Sequence, residues 1–195
     1  CQVRSKTAYE AIASPDHLLL IHFGLQYSDD VIDWLKLLPS PLVLIYHNIT
    51  PSHYFVGINL FFFEAAQRGR EQLATLRQIA VAGWGVSQFN ASDLQASGWQ
   101  HTDVLPIVFD PTRLTHKPDK AVLDRYQGGI NILYVGRVSP NKCIEDLLLA
   151  FYYIKQFINP KARLFIVGSA NGMQRYLMLL QTLQQQLGLS DVIFT

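Results

Sequence analysis

Apolar residues in this chain fall into short runs separated by longer stretches of helical period. His17 to Phe23 reads as a buried strand closing at Gly24. Ser28 then caps a helix whose first turn holds Asp29 and Asp30, where negative charge suits the helix dipole. Pro39 and Pro41 break the chain, and Leu42 to Tyr46 is the next strand. A loop from His47 to His53 follows, with Pro51 inside it, and then a long helix from about Ile58 to Ile79. Ala80 to Gly85 reads as a third strand. Ser87 or Asn90 caps a short helix ending at Gly98, and Val104 to Val108 reads as a fourth strand.

Between 110 and 129 the texture changes. Pro111, Pro118, Gly128 and Gly129 fall there, with little apolar pattern except a short helical stretch near Ala121 to Tyr126. That composition predicts a linker. Asn131 to Val135 resumes as a strand. Its helix places Ile144, Leu147, Leu148, Phe151, Ile154 and Ile158 at a period near 3.6. Arg163 to Val167, ending at Gly168, is another strand. Its helix repeats the pattern with Met173, Tyr176, Leu177, Leu180, Leu183 and Leu187, and Asp191 to Phe194 opens one more strand. Strand–helix alternation of this kind predicts an α/β fold with parallel sheets covered by helices on both faces. The linker divides it into two Rossmann-like domains, neither complete, over 1–110 and 130–195.

Composition narrows the classes. The chain has 195 residues, 49% hydrophobic and 16% charged, too apolar for disorder and long enough for one domain or parts of two. The longest unbroken apolar run, Ile79 to Val86, is far shorter than the roughly 18 residues of a membrane span. Residues 1–12 are polar and lack the apolar region of a signal peptide. The chain opens on Cys1 rather than Met, so the natural start is expected to lie upstream, with processing as the alternative explanation. Cys1 and Cys143 make no disulfide framework, and a reducing, cytoplasmic setting is the default expectation.

Charge is unevenly spread. Residues 1–110 hold six Lys/Arg against ten Asp/Glu, a net of −4, and residues 111–195 hold ten against five, a net of +5. An uneven pair of solvated surfaces explains this as well as an anion-binding second half does. No Lys/Arg cluster interleaved with aromatics points to nucleic acid.

The segment Asn131-Ile-Leu-Tyr-Val-Gly136-Arg137-Val-Ser139-Pro140-Asn-Lys142 carries the clearest chemistry. A strand ends at Gly136 and a helix is predicted to start near Pro140, a residue suited to the first helical position. Ligands of parallel α/β sheets bind beyond the carboxyl ends of the strands, where helix N-termini favour anions. Arg137 offers a fork of donors and Lys142 a point charge, together enough for a diphosphate and its departure. An exposed loop with two solvated basic residues is the plainer alternative. The segment is neither a P-loop nor a G-x-G-x-x-G dinucleotide fingerprint.

Gly136-Arg137-Val-Ser-Pro-Asn-Lys142, after Ile-Leu-Tyr-Val and before a helix with Leu-Leu-Leu-Ala-Phe, resembles the start of the second domain of family 4 glycosyltransferases, enzymes of the GT-B fold. Leu164-Phe-Ile-Val-Gly168 and Gly188-Leu-Ser-Asp-Val-Ile-Phe-Thr195 resemble that family's next two strands, over about 65 residues in the right order. The resemblance implies a nucleotide-diphosphate-sugar donor held by Gly136, Arg137, Ser139, Lys142 and Gly168, and transfer with retention of configuration. It makes 1–110 the end of an acceptor-side domain and 130–195 the start of a donor-binding one. Cys143 departs from the pattern, which has Gly there. The family's first glycine-rich loop would precede Cys1, and its paired glutamates would follow Thr195. The chain is therefore expected to be an internal fragment, inactive alone.

In the first half, Leu42-Val-Leu-Ile-Tyr-His47-Asn48-Ile-Thr-Pro puts His47 at the carboxyl end of a strand, and His22 ends the preceding one. Either histidine suits sugar hydroxyls, or simply ends a strand. His47-Asn48-Ile-Thr-Pro and Gly69-Arg70-Glu71-Gln72-Leu73 resemble a subset of the same family. That likeness implies that His47 contacts the donor sugar near its reacting carbon. His22, Asn48 and Ser87 remain acceptor-side candidates, with helix capping the main expected role of Ser87. Asp110 is expected at a hinge. Leu60-Phe61-Phe62-Phe63 reads as core, with a peripheral membrane face as the lesser alternative, and Tyr152-Tyr153 as ordinary packing.

The catalytic set is thus His47, Arg137 and Lys142. No cofactor or metal is expected, because no cluster has ligand spacing. The acceptor would be a carbohydrate or a lipid-linked one. The alternatives are another GT-B enzyme such as a nucleotide-sugar epimerase, or a nucleotide-binding protein without catalysis. An oxidoreductase would need the missing glycine fingerprint.

Overall fold

The computed structural model describes residues 5–115 and 117–195. They divide into two compact units. One takes the described residues up to Ser52 together with Phe61–Phe109, and the other takes His53–Leu60 and Asp110–Thr195.

The first unit alternates helix and strand: α1 (Lys6–Glu10), β1 (Leu19–Phe23), α2 (Asp29–Leu37), β2 (Leu42–Tyr46), α3 (Leu60–Ile79), β3 (Ala82–Gly85), α4 (Gln88–Ala96) and β4 (Thr102–Val104). The four strands are parallel in the order β1-β2-β3-β4. Every residue of β2 is buried, as an inner parallel strand requires when both faces are covered. In α3 the buried positions Ala65, Ala66, Gly69, Gln72, Leu73 and Leu76 trace one face. Gly69 lies so close to the chain after β1 that a Cβ there would overlap the Leu25 carbonyl. Gln72 fixes the same stretch through both ends of its amide: Oε1 accepts from the Tyr27 N–H (2.9 Å), and Nε2 donates to the Tyr27 carbonyl (2.8 Å).

Local departures from the sequence pattern have physical causes. Ser28 occupies the N-cap position of α2, but its hydroxyl donates to Asp30 Oδ1 (2.5 Å) and makes no cap bond to the backbone. The last strand spans 102–104, not 104–108. Pro106 has no N–H to give a ladder, and Ile107, Val108 and Phe109 are exposed. Helix α1 was not anticipated. It is five residues long, buries none of them, and is capped by Ser5, whose Oγ accepts from the Ala8 N–H (3.2 Å). Ser87 caps α4, accepting from the Asn90 N–H (3.3 Å), and Gly98 closes it with φ +85°.

The second unit contains α5 (Lys120–Arg125), β5 (Asn131–Val135), α6 (Ile144–Phe157), β6 (Arg163–Val167), α7 (Gln174–Gln186) and β7 (Val192–Phe194). Its three strands are parallel in the order β5-β6-β7. The core holds Ile144, Leu148 and Phe151 of α6, Leu164 and Ile166 of β6, and Tyr176 and Leu180 of α7. Ile158 follows the end of α6 and is exposed. The stretch after α5 is tied to β6: Tyr126 packs edge-on to Phe165 at 4.7 Å, and Arg163 donates to the carbonyls of Gln127 (3.0 Å) and Gly128 (3.1 Å). The segment 53–60 also belongs to this unit, with Asn59 Nδ2 donating to the Gly172 carbonyl (2.6 Å).

Tyr152 and Tyr153 are exposed, with Tyr153 packed against Phe157. Leu60 and Phe61 are exposed, while Phe62 and Phe63 are half-buried. Among the described residues no helix is long and apolar enough to cross a membrane.

Candidate functional site

On the first unit the candidate residues gather at the carboxyl ends of β1 and β2. Parallel register pairs His22 with Ile45 and Phe23 with Tyr46, and the His47 N–H continues the ladder to the Phe23 carbonyl (2.8 Å). Side chains alternate faces along a strand, so His47, two residues past Ile45, falls on the same face as His22. The two imidazoles meet there: His22 Nδ1 and His47 Nε2 are 2.7 Å apart. Both side chains are exposed, on the side where ligands of parallel sheets bind. Burial, and then the charge of His22, hold His47 below the ordinary imidazole value, so it is neutral at pH 7.

The loop that carries His47 is held from behind. Asn48 takes a left-handed conformation, φ 73°, which Asn tolerates better than most residues. Tyr46 is fully buried. Its hydroxyl donates to Asp93 Oδ2 (2.6 Å) and accepts from the Ile49 N–H (3.1 Å), with Asn48 Oδ1 at 3.3 Å. Burial and the Asp93 carboxylate push the Tyr46 phenol well above its ordinary range. Arg70 of α3 closes the network, donating to Asp93 Oδ2 (2.8 Å) and to the Ile49 carbonyl (3.0 Å). Three elements therefore converge on residues 46–49. The Asn48 side chain turns back to the Tyr46 hydroxyl and the Ser87 hydroxyl caps α4, so each is engaged within the first unit.

Sequence reasoning missed this network. Asp93 of α4 serves Tyr46 and Arg70 rather than the start of its own helix. The available signal was a Tyr inside an otherwise aliphatic strand, since a buried hydroxyl needs a partner.

On the second unit the candidates gather where β5 and β6 end. The ladder runs on past β5, with the Gly136 N–H bonded to the Val167 carbonyl and the Val138 N–H to the Ser169 carbonyl, both at 3.0 Å. Gly136 and Gly168 are in contact, and a Cβ on Gly168 (φ 153°) would overlap the Gly136 carbonyl. Ser139 is buried, and Pro140–Lys142 form a 3₁₀ turn closed by the Lys142 N–H on the Ser139 carbonyl (2.9 Å). Arg137 and Lys142 are exposed on this loop. Asp110 caps a separate 3₁₀ turn, its Oδ1 accepting from the Thr112 hydroxyl (2.7 Å) and N–H (2.9 Å).

The helix itself begins later than the sequence suggests. Cys143 interrupts the 3₁₀ turn with φ 48° and ψ 49°, and α6 starts at Ile144. This conformation is the one glycine adopts without penalty. The first N–H of α6 is already engaged by the Tyr176 hydroxyl (3.0 Å), which in turn donates to Glu145 Oε2. Glu145 and Asp146 occupy the first turn. The helix end is thus met by its own carboxylates, and any anion beside it depends on Arg137 and Lys142. Among the described residues no three His, Cys, Asp or Glu side chains form a group able to hold a metal ion.

No protein-family model matches the sequence, and no curated protein matches it. Solved structures do match. An α,α-trehalose-6-phosphate synthase from Burkholderia multivorans superposes with a TM-score of 0.67 at 11% identity, over 96% of this chain and 47% of its own. The sucrose-phosphate synthase of Thermosynechococcus elongatus gives 0.64 at 19% identity, over 97% and 47%. A trehalose-6-phosphate synthase studied for glycosyl transfer with retention gives 0.61 at 14%, over 94% and 48%. The chain therefore has a GT-B type α/β fold and spans about half the length of the structures it matches.

Proposed function

We propose that this chain is part of a glycosyltransferase that takes a sugar from a nucleotide-diphosphate-sugar donor and passes it to a carbohydrate or lipid-linked acceptor with retention of configuration. The observation that carries the reading is the loop from Gly136 to Lys142. It displays two cations at the carboxyl end of a parallel strand, beside the close approach of Gly136 and Gly168. Bond breaking between sugar and diphosphate builds negative charge on the leaving group, and fixed cations lower that barrier. Arg137 and Lys142 supply them. His47, neutral and exposed, orients the sugar. The chemistry takes place without a metal. The matching synthases support the donor class by the company this fold keeps.

Two measurements test this. Titration of UDP, ADP and GDP into the chain measures diphosphate binding directly. A transfer assay with a panel of nucleotide sugars, on a protein containing this chain in full, measures chemistry. We expect Arg137→Ala to lower donor-dependent transfer by roughly two to three orders of magnitude, equivalent to about 3–4 kcal/mol. Unchanged transfer in that variant would remove the diphosphate assignment. Binding that Arg137→Ala weakens, with no transfer from any donor, would leave a nucleotide-binding protein.

A further inference from the structure

The contact between His22 Nδ1 and His47 Nε2, at 2.7 Å, is a hydrogen bond, with ring centroids 5.0 Å apart. Such a bond needs one proton and one lone pair on the line between the nitrogens. Two protons there would collide, and two lone pairs would repel. A neutral imidazole carries its proton on one nitrogen only. The shared line therefore dictates what the outward nitrogens carry. When His47 Nε2 donates, His47 Nδ1 is a bare acceptor, and His22 must hold its proton on Nε2 as an outward donor. When His22 Nδ1 donates, the outward roles reverse. Both rings always share one tautomer, and they present one donor and one acceptor.

We propose that His22 and His47 form a single proton-sharing unit whose outward nitrogens bind a pair of sugar hydroxyls, one hydroxyl donating and the other accepting. The assignment of a sugar as ligand rests on the reading of the chain as a glycosyltransferase; the pairing of the rings does not. The unit also adapts to the ligand. If a hydroxyl proton passes to the bare nitrogen, the shared proton crosses to the other ring, the far nitrogen gives its own to the second hydroxyl, and that hydroxyl passes one back to the first. One proton enters, one leaves, and no charge remains on the pair. A lone histidine would have to change its protonation state or flip its ring to do the same.

The surroundings favour a neutral pair. The Tyr27 hydroxyl donates to the His22 carbonyl (2.5 Å), and Gly24 lies against the His47 Cβ. Behind residues 46–49, Asp93 and Arg70 are bonded to each other, and the buried Tyr46 phenol donates to Asp93. The shift of His47 below its ordinary value agrees with a ring that resists a second charge.

Imidazole nitrogen shifts of the ¹⁵N-labelled chain test the pairing. Above about pH 7 both rings should show the same tautomer. His22→Ala should move the His47 titration upward and release its tautomer. His22→Asn, which keeps a polar group near the Nδ1 position, should restore a fixed tautomer at His47. UDP-glucose should shift both rings together. Opposite tautomers, or a His47 titration unmoved by His22→Ala, would overturn the pairing even where transfer activity is found. Coupled rings that no nucleotide sugar perturbs would overturn the sugar-binding role. A negative transfer assay beside that result would place the fault in the functional reading itself.

Discussion

Cys143 is the residue most at odds with its backbone. A side chain at φ 48° and ψ 49° strains against its own carbonyl by about 1–2 kcal/mol, and glycine relieves that strain at some cost in chain entropy. Cys143→Gly should therefore stabilise the second unit by about 0.5–1 kcal/mol, seen as a higher urea midpoint for a probe in α6. A lower midpoint would mean that the thiol packing outweighs the strain. Gly69 is the opposite case. Its missing side chain is a requirement of α3 meeting the Leu25 carbonyl, and Gly69→Ala should destabilise the first unit by about 2 kcal/mol or more in the same measurement. His47 adds a pH dependence whose sign follows from its lowered value. The unfolded ring takes up a proton near 6.5, before the folded one does. The first unit thus loses stability as pH falls below about 6.5, and His47→Gln should flatten that slope.

Between the elements, the arrangement that matters is the convergence of β2, α3 and α4 on one loop. Asp93 is the common partner of Tyr46 and Arg70, and both would keep their polar groups turned inward without it. Asp93→Ala should cost about 2 kcal/mol, given hydrogen bonds to a charged group that stays about a quarter exposed. It should also loosen His47, lowering transfer by more than the small fraction unfolded accounts for. Normal transfer in a destabilised Asp93→Ala protein would reduce the network to a structural role. Elements with strong period were legible in the sequence. Strands β2, β5 and β6 fall where their apolar runs predict, and in β2 the run is unbroken because both faces of the strand are buried. Strand β4 was misplaced because apolar residues 105–109 look like a strand while Pro106 and exposure make them something else. The start of α6 was misplaced because Pro140 opens a 3₁₀ turn, which shares its N-terminal residue preferences with an α-helix. The histidine contact depends on register between two strands, and register is invisible until both are paired.

Across the chain as a whole, the division of charge follows the division into units. Asp110 falls with the second unit and the segment 53–60 carries no Lys, Arg, Asp or Glu, so that unit has a net charge of +4. Net charge alone attracts any anion; a site attracts one by a few charges within a screening length. The two cases separate by position. Lys161 sits before the amino end of β6, while Gly168 follows its carboxyl end, seven residues and about 20 Å of extended chain away. The screening length at physiological salt is about 8 Å. If the loop from Gly136 to Lys142 binds a diphosphate, Lys142→Ala should weaken UDP binding about tenfold and flatten its dependence on salt. Lys161→Glu, although it changes the net charge by two rather than one, should alter affinity by less than about twofold at 0.15 M salt. Titrations of both variants at low and physiological ionic strength decide between them. Equal weakening by the two substitutions would show that UDP senses only the unit's overall positive field, and the phosphate site at the end of β5 would have to be given up.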